Sequence, residues 1–247
     1  MRGVVTRAAL PRFDRACLLL DLDGTLLDMA PTPDSVVVPA GLTDTLRTLT
    51  AQLDRALAIV TGRPIEVIDR LLGDAPHAVA GEHGGAVRPA PGALVERPDL
   101  RPPPPAWIER GAALEAAHPG AMLEVKARGF GLHFRLAPDA GAAIYDVLAA
   151  LVLGSPDFEL MAGSMLWEVR PKGADKGLAV ASLMRRTPFL GRLPVFIGDD
   201  VTDEDGMRAA RAMGGAGLRV QDVFGEPEDV RQWLRSTADR GDWGDLP

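Results

Sequence analysis

Two aspartates separated by a single residue follow the first apolar run of the sequence. The run Ala16 to Leu20 leads into Asp21, Asp23 and Thr25. A carboxylate with an ordinary pKa of about 3.9 is ionised at neutral pH, so Asp21 could attack the phosphorus of a phosphate ester without a separate base. Asp23 could protonate the leaving oxygen and later deprotonate the attacking water. The alternative interpretation of these residues is a polar turn that ends a strand.

Thr61 and Lys176 are the candidates for holding phosphate. Thr61 follows the apolar run Ala56 to Val60 and precedes Pro64. Its hydroxyl could hold a phosphate oxygen near a helix N-terminus, or it could be the N-cap of that helix. Lys176 is predicted to begin a helix, where the helix dipole disfavours a cation. An anionic partner, either phosphate or Asp21, would explain a lysine at this position.

A carboxylate-rich segment follows another apolar run. Asp199 and Asp203 come after Val195 to Ile197, and neighbouring carboxylates repel one another unless a cation or solvent offsets their charge. Carboxylate oxygens are the ligands that Mg²⁺ prefers in proteins. The sequence therefore predicts a Mg²⁺ site formed by Asp21, Asp23, Asp199 and Asp203.

These polar segments all follow predicted strands that alternate with helices. Continuous apolar strands between helices are typical of an α/β fold, here a doubly wound parallel sheet covered on both faces. In such sheets ligands bind beyond the carboxyl ends of the strands. The predicted strands are 16–20, 56–60, 77–80, 195–197 and 218–220, and the predicted helices are 42–53, 65–72, 176–186, 203–213 and 228–234.

The middle of the chain has a different pattern. A helix and two strands are predicted twice in succession between residues 101 and 169, which is typical of an antiparallel α+β domain. We therefore predict a core formed by residues 1–100 and 170–247, with residues 101–169 inserted as a cap domain.

The strands of the predicted cap place charged side chains on one face, because side chains alternate along a strand. That face could bind the hydroxyl groups of a sugar. An ordinary solvent-exposed sheet face is the alternative interpretation. Its charged members are Glu124, Lys126, His133, Arg135, Glu168 and Arg170.

Composition and charge exclude several other classes of protein. The 27 basic and 34 acidic residues give a net charge of −7, which leaves no broad basic surface for nucleic acid. Cys17 is the single cysteine and can form no internal disulfide. No run is apolar and long enough for a membrane span or a signal peptide, so a cytoplasmic location is expected. The oligomeric state stays open.

The chemical segments together resemble the four motifs of the haloacid dehalogenase superfamily. The resemblance implies an aspartyl-phosphate intermediate, a Mg²⁺ requirement, and a substrate-selecting cap between the second and third motifs. The matching segments are Asp21-x-Asp23-x-Thr25, Thr61, Lys176 and Gly198-Asp199-Asp200-x-x-Asp203.

Further segments resemble the trehalose-6-phosphate phosphatase family over most of the chain. They are Gly81-Glu82-His83-Gly84, Leu123-Glu124-Val125-Lys126, Leu132-His133-Phe134-Arg135, Trp167-Glu168-Val169-Arg170-Pro171 and Gly198-Asp199-Asp200-Val201-Thr202-Asp203-Glu204.

This second resemblance implies hydrolysis of trehalose 6-phosphate, with the substrate bound by Glu124, Lys126, Glu168, Arg170 and His83. Arg170 stands where lysine is also expected, which keeps the charge. His83 could instead make only a structural hydrogen bond. The alternative functions are a phosphatase for sucrose 6-phosphate or glucosylglycerol phosphate, and a catalytically silent phosphosugar-binding module.

Overall fold

The structure, a computed structural model, describes residues 10–97 and 100–247, and it divides into two compact units. The first contains residues 10–30, 36–97 and 175–247, and the second contains 31–35 and 100–174. No sequence pattern indicates that 31–35 groups with the second unit. The boundaries of the predicted core and cap stay predictions. The first nine residues, to which the signal-peptide argument applies, lie outside the described residues.

A six-stranded sheet forms the centre of the first unit. With elements numbered along the chain, the strands lie in the order β10, β9, β1, β2, β3, β4. Neighbouring strands are parallel except for β3 and β4, which are antiparallel. The bounds are β1 (Ala16–Leu20), β2 (Leu57–Val60), β3 (Ala78–Gly81), β4 (Ala86–Arg88), β9 (Leu193–Gly198) and β10 (Ala216–Arg219).

Among the described residues of the same unit are six α-helices. Every residue of β1, β2 and β3 is buried, as expected for a parallel sheet with both faces covered. The predicted α/β fold with a parallel sheet is therefore confirmed. The helices are α1 (Leu42–Gln52), α2 (Ile65–Leu72), α5 (Lys176–Met184), α6 (Asp203–Ala212), α7 (Val220–Val223) and α8 (Pro227–Arg240).

Apart from shifted helix bounds, of which the end of α8 at Arg240 is the largest, two elements differ from the sequence-based expectation. β4 was not predicted, because three residues are too few to show a periodic pattern. It pairs antiparallel with β3, and Val87 also exchanges backbone hydrogen bonds of 2.8 Å with Glu96. Val220 begins α7 and does not end the strand before it. Neither difference affects the carboxyl ends of β1, β2 and β9.

The second unit packs two helices on one face of an antiparallel sheet with the strand order β5, β6, β8, β7. Leu132 and Val169 point to the apolar core of this unit and are fully buried, whereas Val125 lies at the end of the edge strand and is 56% exposed. The bounds are α3 (Pro105–Ala117), β5 (Met122–Val125), β6 (Phe130–His133), α4 (Gly141–Val152), β7 (Phe158–Gly163) and β8 (Leu166–Pro171).

Within residues 10–97 and 100–247, no helix has both the length and the apolar character needed to cross a membrane.

Candidate active site

Three aspartates and one lysine meet where β1 and β9 end. Asp21, Asp199 and Asp203 each place a carboxylate oxygen within 4.8 Å of the others. The Nζ atom of Lys176 donates hydrogen bonds of 2.6 Å to Oδ1 of Asp21 and to Oδ1 of Asp203. The side chains of Lys176, Asp21 and Asp203 are all buried. Three segments that are far apart in sequence therefore form one charged cluster.

The position of Lys176 follows from the start of α5. Asp175 is the N-cap of this helix, and its Oδ1 accepts a hydrogen bond of 2.8 Å from the backbone N–H of Leu178. Lys176 is therefore the first helical residue, where the dipole disfavours its charge. The carboxylates of Asp21 and Asp203 offset that cost. Of the two anionic partners considered from sequence, the structure places Asp21 next to the lysine.

Asp203 organises the loop that carries Asp199. Its Oδ2 atom accepts hydrogen bonds from the backbone N–H groups of Asp199 (3.1 Å) and Asp200 (3.0 Å). A Cβ atom on Gly198 would lie 2.4 Å from Cγ of Asp203. The loop can approach the carboxylate this closely only because residue 198 has no side chain. Asp203 thus stabilises the loop as well as contributing to the cluster.

The pKa values of the cluster reflect burial and repulsion. Burial raises the pKa of Asp21 well above its ordinary value, and Asp203 and Asp199 raise it further, against the opposing charge of Lys176. Burial and the carboxylates of Asp203 and Asp200 raise the pKa of Asp199 to about 6. The pKa of Asp21 among these side chains is therefore not the ordinary value assumed from the sequence.

Lys176 stays charged despite its burial. Burial alone would lower the pKa of Lys176, but Asp203 and Asp21 outweigh this effect and the net shift is upward. One ammonium thus faces three carboxylates, which leaves two negative charges when all of them are ionised. A divalent cation would offset this charge, and its preferred ligands are carboxylate oxygens. The residues present therefore fit Mg²⁺.

The carboxylate of Asp23 is not among the three clustered carboxylates. Both of its oxygens accept hydrogen bonds from Arg63, Oδ2 from Nε at 2.5 Å and Oδ1 from Nη2 at 2.7 Å. The predicted role of Asp23 as a metal ligand stays a prediction. Sequence reasoning assigned no role to Arg63, although a cation that follows Thr61 by two residues was an available signal.

Thr61 lies at the end of β2, the strand next to β1. Its backbone N–H donates to the carbonyl of Ala80 at 2.8 Å, and its Oγ1 accepts from the backbone N–H of Arg63 at 3.2 Å. The N-cap of α2 is Pro64, so the N-cap interpretation of Thr61 is wrong. The hydroxyl lies at the same sheet edge as Asp21.

His83 packs against the loop that follows β2. Its backbone N–H donates to the carbonyl of Thr61 and that of Glu82 donates to Arg63, both at 3.0 Å. Glu82 and His83 have positive φ angles of 53° and 54°, a strained conformation for residues other than glycine. A Cβ atom on Gly62 would lie 2.4 Å from Nε2 of His83. The imidazole therefore lies directly over the Thr61 loop.

On the second unit, two acidic side chains share the sheet face that does not carry the apolar core. Glu124 and Glu168 both pair with Gly131 in the strand register, one from each side of β6. Nζ of Lys126 donates to Oε1 of Glu168 at 2.8 Å, and Nε2 of His133 lies 2.8 Å from Oε2 of Glu124. Each carboxylate of the face therefore has a basic partner from another strand segment.

The burial of these pairs differs. The side chains of Lys126 and Glu168 are only 4% and 6% exposed, while those of His133 and Glu124 are 22% and 24% exposed. Burial raises the pKa of Glu124, but the hydrogen bond from His133 and the charge of Lys126 outweigh it, and the net pKa is lowered. Glu124 is thus held as a carboxylate.

The two arginines predicted on this face both have protein partners. Arg170 donates from Nε to Oε1 of Glu159 at 2.9 Å, and its side chain is 7% exposed. Arg135 donates from Nη2 to the carbonyl and hydroxyl oxygens of Ser164 at 3.2 Å each. Arg170 is therefore committed to a neighbour on β7, and Glu159 is a partner that sequence reasoning did not identify.

Comparison with known proteins identifies the family. The sequence profile of the family described as trehalose-phosphatase matches residues 19–229. The chain belongs to the trehalose-phosphatase family. The family resemblance predicted from the sequence is therefore confirmed.

Individual relatives agree with this placement. The chain is 39% identical to a probable trehalose-phosphate phosphatase from Sinorhizobium fredii, over 84% of this chain and 78% of that protein. It is 36% identical to the trehalose-6-phosphate phosphatase of Escherichia coli, over 81% of this chain and 75% of the relative. The C-terminal domain of the C. albicans trehalose-6-phosphate phosphatase has a similar fold, with a TM-score of 0.77 at 21% identity and 92% coverage of both chains.

Proposed function

We propose that this trehalose-phosphatase family member is a Mg²⁺-dependent phosphatase that hydrolyses trehalose 6-phosphate to trehalose and phosphate. The observation that carries the proposal is the cluster of Asp21, Lys176, Asp199 and Asp203 at the carboxyl ends of β1 and β9. The names of the relatives at 36% and 39% identity support the choice of substrate.

Asp21 is the proposed nucleophile. Lys176 binds one of its oxygens, Oδ1, and thereby fixes the orientation of the carboxylate. The other oxygen attacks the phosphorus, the bond between phosphorus and the sugar oxygen breaks, and an aspartyl-phosphate forms on Asp21. The positive charge of Lys176 stabilises the charge that develops on the transferred phosphoryl group.

Asp23 is the proposed general acid and base. Its proton passes to the leaving sugar oxygen, and the resulting carboxylate then takes a proton from the water that attacks the aspartyl-phosphate. This second step releases phosphate and restores both aspartates. Because both oxygens of Asp23 accept hydrogen bonds from Arg63, at least one of these bonds must open before Asp23 can reach the leaving oxygen.

We propose that Asp21, Asp199 and Asp203 hold Mg²⁺, and the predicted contribution of Asp23 remains part of the proposal. When bound, the ion supplies positive charge to the phosphate oxygens. The raised pKa values of Asp21 and Asp199 support this assignment, because they reflect negative charge that the neighbouring side chains do not offset.

The remaining predicted site residues bind the two ends of the substrate. Thr61 donates its hydroxyl to a phosphate oxygen, and His83 borders the phosphate through its position over the same loop. Glu124, Lys126 and Glu168 bind sugar hydroxyls. The ion pair between Lys126 and Glu168 is buried, and a buried ion pair contributes little to stability. Because stability does not explain the pair, its burial supports a role in binding the sugar. Arg170 supports the sugar-binding face through Glu159.

A phosphate-release assay tests the proposal. Wild-type protein should release phosphate from trehalose 6-phosphate, EDTA should stop the reaction, and Mg²⁺ should restore it. Asp21→Asn should abolish turnover, because an amide cannot form the phosphoenzyme. Turnover by Asp21→Asn at the wild-type rate, in protein freed of contaminating phosphatases, would exclude the covalent mechanism.

A panel of phosphosugars separates the alternatives. A preference for sucrose 6-phosphate or glucosylglycerol phosphate would replace the proposed substrate while keeping the chemistry. Binding without phosphate release would indicate the silent module. The cytoplasmic location and the absence of a nucleic-acid partner stay predictions from the sequence.

A further inference from the structure

His133 contacts Glu124 on the sheet face that carries Glu124 and Glu168. It is the last residue of β6 and is paired with Met122 in the strand register, whereas Glu124 is paired with Gly131. His133 therefore reaches Glu124 diagonally across two strands. Its Nε2 lies 2.8 Å from Oε2 of Glu124, in the range of a charge-assisted hydrogen bond.

The two carboxylate oxygens of Glu124 differ in their hydrogen-bond partners. Oε2 accepts from His133. In the part of the chain that the structure describes, Oε1 of Glu124 accepts no hydrogen bond from a protein group. One oxygen is thus anchored, and the other is available to accept a hydrogen bond from a ligand.

Gly131 lies between the two carboxylates of this face. Gly131 separates Glu124 from Glu168 in the register, so no side chain of β6 stands between the two carboxylates. The backbone of Gly131 does not require a glycine, because it is not among the residues with positive φ, but a Cβ atom at this position would lie 2.8 Å from Cδ1 of Leu166. Leu166 is paired with His133 in the register, so its side chain lies on the same face, and the absence of a side chain at Gly131 leaves room for it.

We propose that His133 is a positioning residue that sets the orientation of Glu124 for sugar recognition and does not itself contact the sugar. This inference rests on the proposed function. A glutamate has three rotatable side-chain bonds, and ordering such a side chain on binding costs affinity. Because the hydrogen bond from His133 already orders the Glu124 side chain in the free protein, this cost does not arise when the substrate binds. The imidazole acts from Nε2, in the tautomer that carries its proton on that nitrogen.

Two charged neighbours define the surroundings of the pair. Glu124 interacts with the positive charge of Lys126 and with the negative charge of Glu168. Lys126 is itself bonded to Glu168. Removing His133 therefore leaves Glu124 without its hydrogen-bond donor while its charged surroundings stay in place.

A double-mutant cycle tests the proposal. His133→Ala, Glu124→Ala and the double variant are compared with wild type on trehalose 6-phosphate and on p-nitrophenyl phosphate. His133→Ala should lower kcat/KM for the sugar substrate by about 5- to 50-fold, mainly through KM, with little change on p-nitrophenyl phosphate. The double variant should be no slower than Glu124→Ala, because both changes remove one interaction.

Two further variants separate positioning from folding. His133→Gln should restore most of the lost activity, since its amide can donate to Glu124. His118→Ala, which alters a histidine at the end of α3, is the matched control and should behave as wild type on both substrates. Thermal unfolding of every variant is measured alongside.

Several results would overturn the inference. They are losses that multiply in the double variant, equal losses on the two substrates, failure of His133→Gln to restore activity, or a Glu124→Ala variant that handles trehalose 6-phosphate normally. A wild-type protein that releases no phosphate from trehalose 6-phosphate would overturn the proposed function as well, and this outcome is distinct from the others.

Discussion

Replacing Asp199 with asparagine should make the metal-free protein more stable and abolish its response to Mg²⁺. Asparagine has nearly the same shape as aspartate but carries no charge. Its Oδ1 can still accept the hydrogen bond of 3.4 Å from Thr25. The substitution therefore removes a charge that burial, Asp203 and Asp200 disfavour, while the packing against Gly24 is kept.

The size of the effect follows from the pKa of Asp199. A rise from 3.8 to about 6 corresponds to about 3 kcal/mol at 1.36 kcal/mol per unit. Because Asp199 is only partly buried, solvent screening reduces this to about 1–2 kcal/mol. In a protein of this length, that is a rise in Tm of about 2–8 °C.

The raised pKa of Asp199 also determines how the stability of the wild-type protein changes with pH. The folded state holds the Asp199 proton more tightly than the unfolded chain does. The stability that the bound proton gives to the folded state is fully present below pH 3.8 and is lost as the pH rises through about 6. The advantage of Asp199→Asn over wild type in EDTA should therefore be smaller at about pH 5 than at about pH 7.5.

Thermal unfolding followed by circular dichroism, in EDTA and in Mg²⁺, measures both effects. Mg²⁺ at about 100 times its Kd should stabilise the wild type by about 2.7 kcal/mol and leave Asp199→Asn unchanged. Asp205→Asn, in the first turn of α6, is the matched control and should keep the response. A variant that is less stable than wild type in EDTA, or that Mg²⁺ stabilises equally, would refute the argument.

Three further predictions concern Lys176, Gly62 and the proposed sugar-binding residues. Lys176→Met should lower the free energy of unfolding by about 3–5 kcal/mol in chemical denaturation, because two buried carboxylates lose their cation. Gly62→Ala should lower kcat/KM on trehalose 6-phosphate and p-nitrophenyl phosphate alike, because the new methyl group displaces the His83 ring; normal kinetics on both would contradict this. Glu124→Ala and Glu168→Ala should lower kcat/KM about 10- to 1000-fold for the sugar substrate only, whereas equal losses on both substrates would disprove sugar binding.

The meeting of Asp21, Thr61 and Asp199 could be predicted from sequence, because neighbouring parallel strands end at one edge of a sheet. Because a cation is unfavourable at a helix N-terminus, the sequence indicated an anionic partner for Lys176, either phosphate or Asp21. Both predictions depend only on local patterns and on the geometry of a parallel sheet. Neither requires knowledge of how individual side chains pack.

Other features depend on burial and register, which the sequence does not display. The pKa of Asp21 is raised because its surroundings exclude water, and no local pattern reports that. The pairing of Asp23 with Arg63 depends on how far each side chain reaches. The contact between Glu124 and His133 requires the register of β5 on β6, which a one-residue shift would destroy.

The strand order of the first unit leaves β1 without one of its two neighbours during most of synthesis. β1 lies between β2 and β9, so one of its edges has no partner until the ribosome has added residues 193–198. Asp21 and Lys176 are 155 positions apart. All strands of the second sheet lie between residues 122 and 171 and are synthesised before β9. A nascent chain that stalls before β9 therefore carries the proposed sugar-binding residues but exposes an apolar edge of β1, which makes it a target for chaperones and a source of aggregation.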